Sequence, residues 1–325
     1  MRIVAFGGGT GLSNILTGFK KDYQKKIKNL TAIVTVCDSG GSSGILKKIY
    51  DIPAVGDIRN CLLSLSNIEN YMKKVMQYRF KVGEGFSGHP LGNLFLVALL
   101  ETEGDILKAV KKASKILNIS GEVIPVSFDK VELIAEFEDG QIIQGEENIT
   151  NYGLFSKQKI SNLKIKPINA KIPIEIFNKI KKADILIFGP GSLYTSILPN
   201  LLFKEVKNAV NFSKALKIFI VNLLTQPGET DNFTASDHIK EFLRISGLEK
   251  IDVAILNNGQ PTRKQKEIMK KENKTLVEPD VENIFKMGIK VYSKDLINKK
   301  DIYIKHEPYV LKKLIFKVAK DYGLI

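Results

Sequence analysis

The sequence predicts an α/β fold built around a parallel sheet, and three observations lead there. Apolar, strand-like runs alternate with helical patterns along most of the chain. Each of these runs empties into glycine and small polar residues. The length of 325 residues, with 44% hydrophobic and 26% charged residues, is enough to bury a sizeable core.

The first strand is predicted over Arg2–Phe6, followed by a glycine loop and a helix to about Lys20. The second runs from Leu30 to Cys37 and ends in another glycine loop. Apolar residues at helical spacing then cover Asp57–Ser66, Glu69–Phe80, Leu91–Thr102 and Asp105–Leu117. Between Gly121 and Pro167 the period changes: Val131–Phe137 alternates, Glu138-Asp139-Gly140 turns, and Ile142-Ile143 continues. That is a hairpin, and residues 121–167 are expected to form a small β-rich insertion. Parallel-sheet strands resume at Asp184–Phe188, Lys217–Asn222 and Ile251–Leu256, with helices between them. An amphipathic helix from Pro308 to Tyr322 closes the chain. With no internal repeat or linker, residues 1–325 are expected to form a single domain carrying the insertion.

The formal net charge of +14 raises the question of a nucleic-acid partner. The lysines are spread along the chain, however, and arginine occurs only at 2, 59, 79, 244 and 263. Readers of bases and phosphates favour the planar arginine fork. No zinc-finger spacing or aromatic-basic interleaving occurs, so no nucleic-acid partner is expected. Two cysteines, Cys37 and Cys61, fit neither a disulfide scaffold nor a zinc site. The amino-terminal residues lead straight into a strand and no stretch has the length of a membrane span, so the expected location is the cytoplasm.

In open parallel sheets ligands bind beyond the carboxyl ends of the strands. The segments there are Gly7–Gly11, Asp38–Gly44, Gly189–Ser196, Thr225–Asn232 and Asn257–Gly259. Glycines let backbone N–H groups approach an anion, a following helix adds its positive end, and hydroxyls add hydrogen bonds. Five such loops on one rim predict a phosphate-bearing, nucleotide-type ligand. The candidate contacts are Gly8, Gly9, Thr10 and Gly11; Asp38, Gly40, Gly41, Ser42 and Ser43; Asn93; Gly189, Gly191, Ser192 and Thr195; and Gln226, Gly228 and Glu229. Gly7, Gly9 and Leu12 break the GxGxxG pattern, and no Lys-Ser/Thr completes a P-loop, which argues against an ordinary dehydrogenase or NTPase.

Carboxylates gather on the same loops. Asp57 precedes a helical pattern and reads either as an N-cap or, with Asp38, as a Mg²⁺ ligand. Arg59 and Arg79 are candidate phosphate clamps against the alternative of ordinary ion pairs. His89, just before Pro90 at a helix start, is favoured as functional, His238 reads equally as structural or functional, and His306 is expected at the surface.

Taken together, Gly7-Gly8-Gly9-Thr10-Gly11-Leu12-Ser13, Asp38-Ser39-Gly40-Gly41-Ser42-Ser43-Gly44, Gly56-Asp57-Ile58-Arg59-Asn60, Gly88-His89-Pro90-Leu91-Gly92-Asn93, Gly189-Pro190-Gly191-Ser192-Leu193-Tyr194-Thr195-Ser196 and Thr225-Gln226-Pro227-Gly228-Glu229-Thr230 resemble the YvcK-type gluconeogenesis factors of the CofD-like family. The other branch of that family is 2-phospho-L-lactate transferase. The motifs occur in order from residue 1 to about 260. The resemblance implies a Rossmann-like three-layer fold and a nucleotide-sugar ligand such as UDP-N-acetylglucosamine. It also implies a role in growth and cell shape on gluconeogenic carbon. The transferase branch implies Mg²⁺ held by aspartates at Asp38 and Asp57. This chain departs from the common Asp-Asp in having Asp38-Ser39, which weakens the metal reading.

Two functions follow. One is a regulatory protein that binds a UDP-sugar and acts through partners, with self-association expected of a domain of this kind. The other is a Mg²⁺-dependent phospholactate-type transferase acting on a nucleoside-diphosphate-activated donor. In that case Asp57, Arg59 and His89 are its catalytic candidates.

Overall fold

Strand β1 (Arg2–Gly7) is buried on both faces from Ile3 to Phe6, as expected for a strand held between two helical layers. The computed structural model describes residues 1–325. The further strands are β2 (Asn29–Val34), β3 (Glu122–Pro125), β4 (Glu132–Phe137), β5 (Ile142–Gln144), β6 (Ile160–Lys166), β7 (Ile185–Phe188), β8 (Leu216–Ile220), β9 (Val253–Asn257) and β10 (Lys290–Lys294). The helices are α1 (Gly9–Phe19), α2 (Gly41–Ile49), α3 (Gly56–Leu65), α4 (Asn70–Gln77), α5 (Leu91–Glu103), α6 (Ile106–Ile116), α7 (Glu146–Ser156), α8 (Ile174–Lys182), α9 (Lys204–Phe212), α10 (Ala235–Ser246), α11 (Arg263–Lys271), α12 (Val281–Lys286) and α13 (Pro308–Asp321).

Seven strands form one parallel sheet in the order β10-β9-β8-β7-β1-β2-β3. The centre of the sheet is in register at Ala5, which faces Ala32 on β2 and Ile187 on β7. Counted along the chain within this sheet, the order is 3-2-1-4-5-6-7, doubly wound about the β1–β7 pair. That arrangement opens a crevice where the crossovers diverge to opposite faces. Helix α1 packs on α3 and α13, and α8 packs on α9. Phe6 and Phe188 stack across the switch with centroids 5.2 Å apart, adding roughly 0.5–1.5 kcal/mol beyond area burial.

Local chemistry explains many boundaries. Thr234 and Asp237 form a reciprocal capping box at the start of α10, and Asp105 caps α6. Gly104 ends α5 in the left-handed region at φ 67°.

A second, antiparallel sheet of order β5-β4-β6 lies within the expected insertion. The segment 121–167 also holds two elements of another kind: β3, an edge strand of the main sheet paired with β2, and the helix α7. Alternation is visible in β4, where Leu133, Ala135 and Phe137 point inward and join the same apolar cluster as the main sheet. Lys47 on α2 is buried; it donates to the Val131 carbonyl at 2.7 Å and pairs with Glu132 at 3.0 Å. This lysine, with Lys217 one of two that are buried, pins α2 to the start of the small sheet.

Candidate functional site

The turn from β1 into α1 and the loop after β7 meet at the switch point. Their contact is close because Gly11 has no side chain: a Cβ there would lie 2.3 Å from the Pro190 carbonyl oxygen. The Gly191 N–H donates to Asn222 after β8 at 3.2 Å, and Asn200 Nδ2 donates to the Gly7 carbonyl at 3.2 Å. Thr10, Gly11, Pro190, Gly191 and Asn222 line a cleft of about 180 Å³ at this junction.

Four carboxylates converge on the rim beside it. Asp57, in the first turn of α3, reaches across to Gly8, where a Cβ would fall 2.4 Å from its Oδ2. Burial and then Asp38 push the Asp57 carboxyl up to about 7, with the Gly9 amide and Arg59 pulling the other way. Asp38 accepts from the Gly40 N–H at 3.0 Å. Glu146 opens α7 and is likewise raised to about 7, by burial and then by Asp38, Glu229 and Asp57. Glu229 accepts from Ser192 at 2.6 Å, Thr150 at 2.8 Å and Gln226 at 2.6 Å. Burial raises it to about 7 against the Ser192 and Thr150 hydrogen bonds. Asp57 and Glu146 keep partial access to water, which tempers their shifts; Glu229, only 5% exposed, is the most thoroughly desolvated.

Behind the rim runs a polar relay. His89 Nδ1 and Ser42 Oγ share a 2.8 Å hydrogen bond. Asn93 donates to Ser42 at 2.9 Å and accepts from Arg59 at 2.8 Å. Arg59 also donates to Asn60 at 2.8 Å, while its Nε is buried without a partner. His89, Ser42 and Asn93 are buried, so this relay braces α2, α3 and α5 against one another.

The sheet topology brings all five expected loops to the carboxyl-end rim. The fifth is taken up structurally: Asn257 Oδ1 accepts from Leu296, and the Asn258 N–H donates to the Lys294 carbonyl. Arg79 is exposed and donates to the Gly88 carbonyl. His238 is buried against Phe233, with Nδ1 bonded to the Thr234 carbonyl. His306, expected at the surface, is buried at 6% exposure, and burial lowers its pKa to about 4. The sequence reading did not single out Glu146 or Thr150, which α7 carries over the rim. The available signal was Glu146-Glu147 at a helix start. Ser39 takes a structural part as well, accepting from the Glu147 N–H at 3.1 Å and so capping α7.

No group of three or more His, Cys, Asp or Glu side chains is arranged to hold a metal ion. Asp38 and Asp57 therefore fit Mg²⁺ only in the mode in which phosphate oxygens and water complete the shell. No helix is long and apolar enough to cross a membrane.

Comparison with known proteins bears on the family and the fold. A family profile described as 2-phospho-L-lactate transferase CofD matches residues 3–297. A protein of Aquifex aeolicus is 50% identical over 321 residues, covering 99% of this chain and 97% of that one. The gluconeogenesis factor of Bacillus subtilis is 40% identical over 320 residues, 98% of each chain. A crystal structure of a Bacillus halodurans protein superposes with a TM-score of 0.92 at 38% identity, covering 97% of this chain and 99% of that one.

Proposed function

The chain belongs to the CofD family, and from that premise we propose that it is a regulatory protein of the gluconeogenesis-factor kind that binds a nucleotide sugar of the UDP-sugar class. The observation that carries the reading is the rim at the switch point, where Gly8 and Gly9 lie against Asp57 and a cluster of carboxylates and hydroxyls that includes Asp38, Glu146, Glu229 and Ser192. Backbone N–H groups suit the diphosphate and carboxylates suit sugar hydroxyls. Relatives named gluconeogenesis factor, matched along almost their whole length, support a role tied to gluconeogenesis, and growth and cell shape on gluconeogenic carbon are part of the same proposal. In this reading the protein works in the cytoplasm as a homo-oligomer, and ligand binding shifts the rim loops toward a form that protein partners recognise.

A second reading is a Mg²⁺-dependent transferase, favoured by the Asp38–Asp57 pair beside Gly8 and Gly9. A bound Mg²⁺ would supply neutralisation of phosphate charge. Under that reading Asp57 and Asp38 hold the ion, while His89 and Arg59, occupied by Ser42 and Asn93, position the rim. Calorimetric titration with UDP-N-acetylglucosamine, GDP and NAD, each with and without Mg²⁺, separates the two. Mg²⁺-independent binding of the UDP-sugar without turnover supports the regulator. Mg²⁺-dependent GDP binding with product formation supports the transferase, and binding of none removes both.

A further inference from the structure

Away from the rim carboxylates, a groove of about 530 Å³ runs between α1, α3, α4 and the start of α13 with Lys305 before it. Its volume is that of a small-molecule site. Thirteen residues line it and none is acidic. Four are lysines: Lys20 and Lys21 just past α1, Lys73 on α4, and Lys305. Asn14, whose Nδ2 donates to the His306 carbonyl, and Asn60 line it between them. Lys305 pairs with Asp301, but Lys20, Lys21 and Lys73 make no ion pair with any carboxylate.

Most basic side chains in this protein point at an acid or into water. Lys20 does neither: it is half-buried, its ammonium donates to the Ser66 carbonyl, and its charged neighbours are Lys73 and Lys21. Burial first, and those like charges second, hold it below its ordinary pKa. Like charges gathered in a concavity without counter-charge are relieved by an anion seated among them. The short extent of the groove suits a small molecule better than a polymer, which needs an extended basic track.

We propose that this groove is a second ligand site, taking the phosphate groups of a small phosphorylated metabolite. The proposal goes beyond the nucleotide-sugar reading and requires nothing bound in the crevice, although the groove opens toward it at Thr10, Asn14 and Lys305. Four ammonium groups supply charge and the two asparagines supply orientation.

Inorganic pyrophosphate is the probe. The intact chain should bind it in a titration whose affinity falls with salt. Lys20→Gln/Lys73→Gln should weaken it by about tenfold or more, as expected for two lost charged hydrogen bonds. Lys270→Gln, an exposed lysine on α11, should leave it unchanged. Should the double variant fold poorly, lysine acetylation of the wild-type chain, read by mass spectrometry, replaces it: pyrophosphate should protect Lys20 and Lys73 but not Lys270. Equal affinity in the double variant, equal labelling with and without pyrophosphate, or tighter binding of a single-stranded oligonucleotide than of pyrophosphate would each overturn the proposal.

Discussion

Ser192 Oγ donates a 2.6 Å hydrogen bond to Glu229 Oε2, and with the Gly191–Asn222 hydrogen bond this contact joins the loop after β7 to the loop after β8. Thr150 of α7 donates to the other oxygen of the same carboxylate, so the insertion is tied in at the same point.

Glu229 makes the fold sensitive to pH. Its folded pKa is raised from 4.5 to about 7. Between those values the folded chain keeps a proton that the unfolded chain has released. The contribution is therefore complete below the unfolded pKa and is lost as pH rises toward 7, with a slope of up to about 1.4 kcal/mol per pH unit. Scanning calorimetry should show this as a downward component in Tm between pH 5 and 7. Glu229→Gln should have a flatter profile; an equally steep one would contradict the assignment.

Gly11→Ala should cost stability because the added methyl meets backbone on the Pro190 side and no flexible side chain can yield. The expected loss is about 1–3 kcal/mol. If the crevice is the ligand site, UDP-N-acetylglucosamine affinity should fall by about tenfold or more for a misplaced loop. Thr10→Ala, at an exposed position, should leave Tm unchanged.

Asn93 holds Ser42 and Arg59 together, so Asn93→Leu strands a guanidinium whose Nε already lacks a partner. Urea unfolding should report a loss on the order of 1–3 kcal/mol at unchanged m. Adding Arg59→Met should recover part of that loss, because removing both partners costs less than removing one. A double variant no more stable than the single one would show that Asn93 is not the link.

Asp57 bears on ligand binding directly. With its pKa near 7, it is mainly neutral at pH 6 and mainly charged at pH 8. A phosphate approaching Gly8 and Gly9 meets less repulsion in the neutral state. Without metal, nucleotide affinity should be higher at pH 6 than at pH 8, by up to about tenfold per pH unit. Asp57→Asn should remove the dependence, and Mg²⁺ should flatten it if the ion binds there. Titrations at the two pH values decide the matter.

Much of this architecture was legible in the residues. Periodicity located α3, α5, α6 and α13 within one or two positions, and the glycine loops marked the rim. Helix α2 was not legible, because Gly41-Ser42-Ser43-Gly44 has the composition of a turn. Its stability comes from tertiary partners, Lys47 bonded to Val131 and Glu132. Strand β10 was hidden for a related reason: only Tyr292 of its residues is buried, so no apolar run announces an edge strand. Glu146 and Thr150 escaped notice because their meaning depends on where α7 docks, and that is decided by Ser39 capping its start and Gly228 packing against Gly153.

The links that close the rim span long stretches of chain. Ser39 meets Glu147 across 108 residues, and Thr150 meets Glu229 across 79. Separations of this length cost more to close than local contacts, and they slow folding more than they alter final stability. On the ribosome, Asp38, Asp57 and Glu146 emerge before β8 and the Glu229 loop exist to complete their surroundings. A nascent or clipped chain ending before residue 229 lacks the complete cluster, however much of its sheet has formed.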